Sequence, residues 1–126
     1  LDCHSMPHSA IESRASACKP PPDIVLGDRH GASSSETMTA RVEGALRDSG
    51  LRVIRNSPFA GAHIARAYGR PSHGVHVIQI EIDRALYMNE ARITPRPDFN
   101  AFGARLNAAL EIIVAGFRDG TRTAAE

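Results

Sequence analysis

The stretch VHVIQIEID, residues 75–83, decides the fold because its alternating pattern and its β-branched residues predict a strand. One side of this strand carries isoleucines, and the other side turns polar only toward its carboxyl end, around Glu81. A half-exposed strand with a polar outer face gives the same pattern, so alternation alone leaves both interpretations open. Since a carboxylate partly sheltered from water suits general-base work, Glu81 is a candidate catalytic residue.

Shorter segments around this strand complete an α/β pattern. Three more strands are predicted, at residues 1–4, 23–26 and 51–55. Helices are predicted at residues 36–49, at residues 61–67, and from a cap at Asp98 to a stop at Gly120, with a surface loop over residues 10–22. Strands that alternate with helices predict a mixed, mostly parallel sheet flanked by helices, within one domain over residues 1–126.

Composition narrows the classes of function. The chain has 126 residues and a formal net charge of +1, which argues against a nucleic-acid footprint or a polybasic membrane anchor. No apolar run approaches the ~18 residues that a membrane span needs. The two cysteines, Cys3 and Cys18, are too few for a disulfide scaffold and fit a reducing compartment. We therefore expect a cytoplasmic protein that binds neither nucleic acid nor membrane.

The first residues of the chain carry a candidate ligand pair. On an extended segment, residues i and i+2 point to the same side, so Asp2 and His4 should lie together while Cys3 points away. A carboxylate that accepts one ring N–H leaves the other imidazole nitrogen free for a metal or a proton. Asp-x-His is a weak motif, and solvated loop histidines are the alternative.

Three further candidates follow predicted strands. Ligands of α/β sheets sit at the carboxyl ends of strands, which directs attention to His4, to residues 27–31, to Asn56 and to residues 81–84. A guanidinium can hold a carboxylate through two hydrogen bonds, so Arg29 and Arg84 are candidates for substrate binding. The alternative for any one arginine is a role in surface solubility.

Four blocks of sequence resemble the carboxyl-terminal half of the N-formylglutamate amidohydrolase family. They are DCHSMP (2–7), DIVLGDRHGASS (23–34), NSPFAGAHIARAYGRP (56–71) and VIQIEIDRALYMNE (77–90). The resemblance implies a phosphorylase/hydrolase-like fold similar to zinc carboxypeptidases and aspartoacylase-like deacylases. It also implies hydrolysis of N-formyl-L-glutamate to formate and glutamate, the last step of one histidine-degradation route.

The resemblance also implies residue roles. His4 matches a zinc ligand, and Glu81 matches the base that acts on the zinc-bound water and then protonates the leaving amine. Arg29, Asn56 and Arg84 fall in blocks that would hold the substrate carboxylates. The role of Asp2, which would orient the His4 ring, is predicted from the Asp-x-His spacing and not from the resemblance.

The family's amino-terminal half, which carries the other metal ligands, has no counterpart in these residues. We therefore expect a partial domain that is inactive alone, that holds zinc weakly or not at all, and whose unpaired sheet edge invites a second copy. Two alternatives stay open: another zinc-dependent N-acyl amino-acid amidohydrolase, including a peptidoglycan-type amidase, and a non-catalytic carboxylate-binding module.

Overall fold

A mixed four-stranded sheet forms the centre of the molecule. The computed structural model describes residues 1–12 and 20–122, the last four of them by their backbone alone. The strands are β1 (Asp2–Met6), β2 (Ile24–Gly27), β3 (Val53–Arg55) and β4 (Gln79–Asp83), in the order β1-β4-β2-β3. β1 is parallel to β4 and β2 is parallel to β3, while β2 and β4 run antiparallel. The predicted mixed, mostly parallel sheet is confirmed.

Two long helices cover one face of this sheet. The helices are α1 (Ser9–Glu12), α2 (Glu36–Asp48), α3 (His63–Tyr68) and α4 (Phe99–Arg122). The start of α2 is fixed by Ser35, whose hydroxyl accepts a hydrogen bond from the Met38 N–H at 3.4 Å. Its end is followed by Gly50 in the left-handed region, with a φ of 86°. Both ends of α2 therefore lie within one residue of their predicted positions.

The two faces of the sheet are covered unequally. The main core joins the sheet to α2 and α4 through Ile24, Leu26, Val42, Leu46, Leu51, Val53, Ile78, Ile80, Phe102, Ala109 and Ile113. The opposite face has a small cluster formed by Met6, Ile11 and Val25. The short helix α1 contributes only Ile11 to it, so polar side chains occupy much of that face.

The strand predicted over residues 75–83 is shorter than expected. Residues 75–78 lie outside β4, and Val75 forms an isolated bridge with Arg70. The backbone of Val77 is bonded to Ser33 instead, since its N–H donates to the Ser33 carbonyl and its carbonyl accepts from the Ser33 hydroxyl, both at 2.8 Å. The β-branched residues predicted an extended backbone, but among the described residues no strand pairs with residues 75–77.

Other boundaries also differ from the predictions. The helix α1 lies partly within the predicted loop 10–22; residues 13–19 of that loop, with Cys18, fall outside the described residues. The last helix continues past Gly120 to Arg122, because one glycine lowers helix stability without forbidding the helix. A short hairpin pairs β5 (Met88–Asn89) with β6 (Thr94–Pro95). It was not predicted, because strands of two residues each are too short to show a periodic pattern. In residues 1–12 and 20–122, no helix is long and apolar enough to cross a membrane.

The antiparallel pairing corrects one further expectation. The carboxyl end of β2, at Gly27, lies opposite Gln79 at the start of β4. The carboxyl ends of β1 and β4 therefore lie at one end of the sheet, and those of β2 and β3 at the other. The predicted site residues therefore do not all lie at the same end of the sheet.

Candidate active site

The sparsely covered face of the sheet brings together Asp2, His4 and Glu81. In the register of β1 and β4, Asp2 lies beside Gln79 and His4 beside Glu81. The Nε2 atom of His4 lies 3.0 Å from Oδ1 of Asp2, and its Nδ1 atom lies 3.8 Å from Oε1 of Glu81. Alternation along β1 thus places Asp2 and His4 on one side, as predicted, and Cys3 alternates to the other face. The imidazole thus lies between two carboxylates, in contact with that of Asp2.

Glu81 is buried in the middle of this group, and 7% of its surface is exposed. Burial raises the pKa of the Glu81 carboxyl, and the negative charge of Asp2 adds to the rise, while His4, Arg84 and a hydrogen bond from Gln79 oppose it. The Gln79 side-chain amide donates to Oε1 of Glu81 at 2.8 Å. A buried carboxylate whose pKa is raised toward neutrality is suited to accept and return a proton.

Asp2 has one engaged oxygen and one unpaired oxygen. Its Oδ1 contacts His4, whereas its Oδ2 is buried and has no hydrogen-bond partner among the described residues. A buried polar atom without a partner is costly, so it points to a group that completes the site. The pair His4–Asp2 has the arrangement in which a carboxylate orients an imidazole.

Asn56 is engaged by the loop that follows β2. Its Oδ1 accepts from the backbone N–H groups of Asp28, at 3.1 Å, and His30, at 3.4 Å, and its Nδ2 donates to Oδ1 of Asp28 at 2.8 Å. Burial would raise the pKa of Asp28, but hydrogen bonds from Asn56, from Thr39 and from the Gly31 N–H outweigh it and lower the pKa. Asn56 therefore ties the 27–31 loop to the end of β3.

Arg29 lies in the same loop, but its side chain has no hydrogen-bond or ion-pair partner among the described residues. Its backbone has a φ of 53°, and its N–H donates to the Ala60 carbonyl at 2.7 Å. Within the described residues, no hydrogen bond or ion pair holds its guanidinium.

The loop after β2 packs closely against residues 60–61, since a Cβ added to Gly27 would lie 2.5 Å from the Gly61 nitrogen. Glycine at position 27 is thus required to seat this loop on the end of β2.

Arg84 lies at the opposite end of the sheet from Arg29. Its Nε donates to the Ser5 hydroxyl at 3.1 Å, and its Nη2 approaches the Ser5 carbonyl at 3.4 Å. Ser5 alternates away from His4 along β1. The guanidinium therefore ties the residue after β4 to the edge strand, while its charge still lowers the pKa of Glu81.

A second histidine–carboxylate pair was missed by the sequence reasoning. The Nδ1 atom of His8 lies 2.7 Å from Oδ2 of the buried Asp83, and the Ala85 N–H donates to the other oxygen of Asp83 at 3.0 Å. The hydrogen bond to Asp83 raises the pKa of His8, and burial partly offsets the rise. The register that places Met6 beside Asp83 brings the two together, and no spacing in the sequence reports that register.

The described residues do not form a metal site by themselves. Within residues 1–12 and 20–122, no group of three or more His, Cys, Asp or Glu side chains could hold a metal ion. A catalytic zinc site takes about three protein ligands. At this point His4 is the one imidazole, while Asp2 contacts its ring and Glu81 is the candidate base, so the described residues offer a single nitrogen ligand to such a site.

Known proteins resemble this chain in sequence and in fold. A profile of the N-formylglutamate amidohydrolase family matches residues 1–88. The chain belongs to this family. Among curated proteins, N-formylglutamate deformylase from Pseudomonas aeruginosa is 36% identical over 101 residues, covering 78% of this chain and 38% of that protein. The enzyme of the same name from Pseudomonas putida is 36% identical over 70 residues, covering 55% of this chain and 26% of that protein.

One solved structure of the family matches the fold. The N-formylglutamate amidohydrolase from Ralstonia eutropha JMP134 superimposes with a TM-score of 0.77 at 35% sequence identity, covering 93% of this chain and 42% of that chain. A protein named 5′-nucleotidase SurE from Ruegeria pomeroyi is also 36% identical over 128 residues, covering 84% of this chain and 45% of that protein. The chain thus spans less than half the length of each relative.

Proposed function

We propose that this chain carries the general base and part of the substrate site of an enzyme that hydrolyses N-formyl-L-glutamate to formate and L-glutamate. The observation that carries the proposal is the buried Glu81 beside His4 and Asp2, in a member of the N-formylglutamate amidohydrolase family. Because the chain covers 38% of its curated relative from Pseudomonas aeruginosa, the activity is proposed for the whole protein.

Glu81 would move the proton in this reaction. The carboxylate would take a proton from the attacking water and then deliver it to the amine that leaves with glutamate. Its burial keeps the carboxyl pKa raised, and the hydrogen bond from Gln79 fixes the position of Oε1. A base that is held by its neighbours loses little entropy when the substrate arrives.

His4 would supply one nitrogen ligand to a zinc ion whose other ligands lie in the part of the relatives that this chain does not cover. Such an ion would polarise the formyl oxygen and lower the pKa of its bound water. Asp2 would fix the orientation of the His4 ring. The 126-residue chain alone would then bind zinc weakly or not at all and would be inactive.

Of the three residues predicted to bind the substrate carboxylates, Arg29 retains that proposed role. Its guanidinium is uncommitted within the described residues, whereas Asn56 is held by the 27–31 loop and Arg84 by Ser5. Their engagement favours a role in positioning the loop and the edge strand. The proposed ligand remains a small N-acyl amino acid.

Other parts of the proposal concern the setting of the enzyme. A role in histidine degradation, a cytoplasmic location and a fold similar to zinc carboxypeptidases and aspartoacylase-like deacylases follow from the resemblance of the sequence blocks. Within the described residues β1 pairs only with β4, so its free edge is where a second copy would add.

A substrate panel tests the reaction. The native gene product that contains these 126 residues is assayed with N-formyl-L-glutamate, N-acetyl-L-glutamate and a nucleoside 5′-monophosphate. We expect formate release from the first substrate and no phosphate release from the third. A preference for the acetyl substrate would point to another N-acyl amino-acid amidohydrolase. No hydrolysis of either amide, with zinc supplied, would sink the proposal and favour a binding module.

A further inference from the structure

A cleft of about 400 Å³ lies between the loop after β2 and the start of α3. It is lined by Arg29, Gly61, Ala62, His63 and Arg66. Arg29, His63 and Arg66 have side chains that can donate hydrogen bonds to an anion, and none of the five residues is acidic. The cleft is therefore cationic in chemistry.

The two guanidiniums of the cleft lack the partners that other arginines of the chain have. Arg47, Arg52, Arg55 and Arg96 each form an ion pair with a carboxylate. Within the described residues, no hydrogen bond or ion pair engages the side chains of Arg29, His63 or Arg66. The nearby carboxylate of Asp28 is already occupied by Asn56, Thr39 and the Gly31 N–H. Like charges that share a cleft are stabilised by a counter-anion.

Gln79 connects this cleft to Glu81. Its Oε1 accepts from the Ala62 N–H at 2.8 Å, while its Nε2 donates to Glu81 at 2.8 Å. Positions 79 and 81 lie on one face of β4, and two residues along a strand span about 7 Å. The Gln79 side chain therefore contacts both the Glu81 carboxylate and the Ala62 backbone that lines the cleft. A substrate whose amide lies at Glu81 could thus place its side chain in the cleft.

We propose that the cleft formed by Arg29, His63 and Arg66 is a subsite for the γ-carboxylate of an N-acyl glutamate, and that it selects a dicarboxylic substrate. The inference rests on the proposed function. Arg66 would hold the carboxylate from α3 and Arg29 from the facing loop, since a guanidinium matches a carboxylate with two parallel hydrogen bonds. Gln79 would be a positioning residue, which fixes the cleft relative to the base.

The test compares two substrates that differ only at the γ position. Formate release from N-formyl-L-glutamate and N-formyl-L-glutamine is measured with the native gene product and with its Arg66→Gln, Arg66→Lys and Arg41→Gln variants. Arg41 is an exposed arginine on α2, so its variant is a control for the loss of one charge. A hydrogen-bonded charged group lost from a subsite costs about 10- to 100-fold in binding.

We expect Arg66→Gln to lower kcat/KM for the glutamate substrate about 10- to 100-fold, mainly through KM, and to change the glutamine substrate less than about threefold. Arg66→Lys should restore part of the loss, and Arg41→Gln should change neither substrate. An equal loss for both substrates, or no loss for either, would overturn the γ-carboxylate subsite while leaving the proposed reaction intact.

A binding measurement separates the subsite from the reaction. Glutarate is titrated into the labelled protein while the backbone amide signals of Gly61 and Ala62 are followed by NMR. Saturable shifts that Arg66→Gln weakens at least tenfold and Arg41→Gln leaves unchanged would support the subsite even if no formate were released. The absence of shifts in the unsubstituted protein would contradict it.

Discussion

The two faces of the central sheet are formed by the same strands, but one carries apolar side chains and the other carries polar and ionisable ones. On the covered face, Ile24, Leu26 and Ile80 pack beneath α2 and α4 and are almost fully buried. On the other face, the same strands place polar groups such as Glu81 where burial is energetically costly. One face stabilises the fold, and the other holds ionisable groups in unfavourable surroundings. Proteins accept such costs mainly at functional sites.

The largest expected effect tests the covered face. Ile80→Ala removes a side chain that is 1% exposed and should lower the free energy of unfolding by about 2–5 kcal/mol, because it deletes buried methyl groups and leaves a cavity. Urea denaturation of the chain checks this. The matched control, Ile112→Ala, lies on an exposed part of α4 and should cost much less. Equal losses for the two variants would contradict the assignment of the core to this face.

The next prediction tests the close backbone contact of Gly27 with Ala60 and Gly61, which borders the polar face. Gly27→Ala would place a Cβ 2.5 Å from the Gly61 nitrogen and 2.6 Å from the Ala60 carbonyl carbon, so the backbone must shift. We expect a loss of about 1–3 kcal/mol in the free energy of unfolding.

Gly44→Ala supplies the opposite control. No atom lies within 4 Å of its added Cβ in α2, so alanine should stabilise this helix by up to about 1 kcal/mol. Thermal unfolding measures both variants. A tolerated Gly27→Ala would show that the loop is not seated as described.

The smallest effect concerns pH and the His8–Asp83 pair. Since the folded-state pKa of His8 is raised, the pair stabilises the fold fully below the unfolded-state value near 6.5, and this stability is lost as pH rises through the folded-state pKa. His8→Gln should therefore destabilise the chain more at pH 5.5 than at pH 9. The difference should be about 1 kcal/mol or less, because about a third of the His8 side chain is exposed and solvent screens its charge.

The measurement is chemical denaturation at the two pH values. His73→Gln, in an exposed turn, is the control and should show no such difference. A cost of His8→Gln that is the same at both pH values would mean that the pair carries no charge-dependent stability.

The sequence predicts the covered face better than the polar one. Local signals placed α2, because a serine cap and a left-handed glycine act within a few residues of its ends. The alternation of β4 correctly separated Glu81 from the isoleucines. The same alternation overextended the strand, since it reports an extended backbone and not whether a partner strand is present.

The relationships within the site depend on distant parts of the chain. The contact of Asp2 with His4 follows from local alternation, whereas the pairing of His8 with Asp83 depends on the register of β1 against β4. The link from Gln79 to Ala62 depends on where the loop after β3 is seated. The antiparallel pairing of β2 with β4 separated Arg29 from Arg84, and no local pattern encodes that direction.

The most direct test of the account is the Glu81→Gln variant of the native gene product, assayed for formate release and thermal unfolding together. Glutamine keeps the acceptor for Gln79 but cannot take a proton, so we expect kcat to fall about 10²- to 10⁴-fold. The raised pKa of Glu81 means that the ionised carboxylate opposes folding as pH rises, so the variant should be as stable as the original or slightly more stable at pH 7. Unchanged formate release would contradict the account.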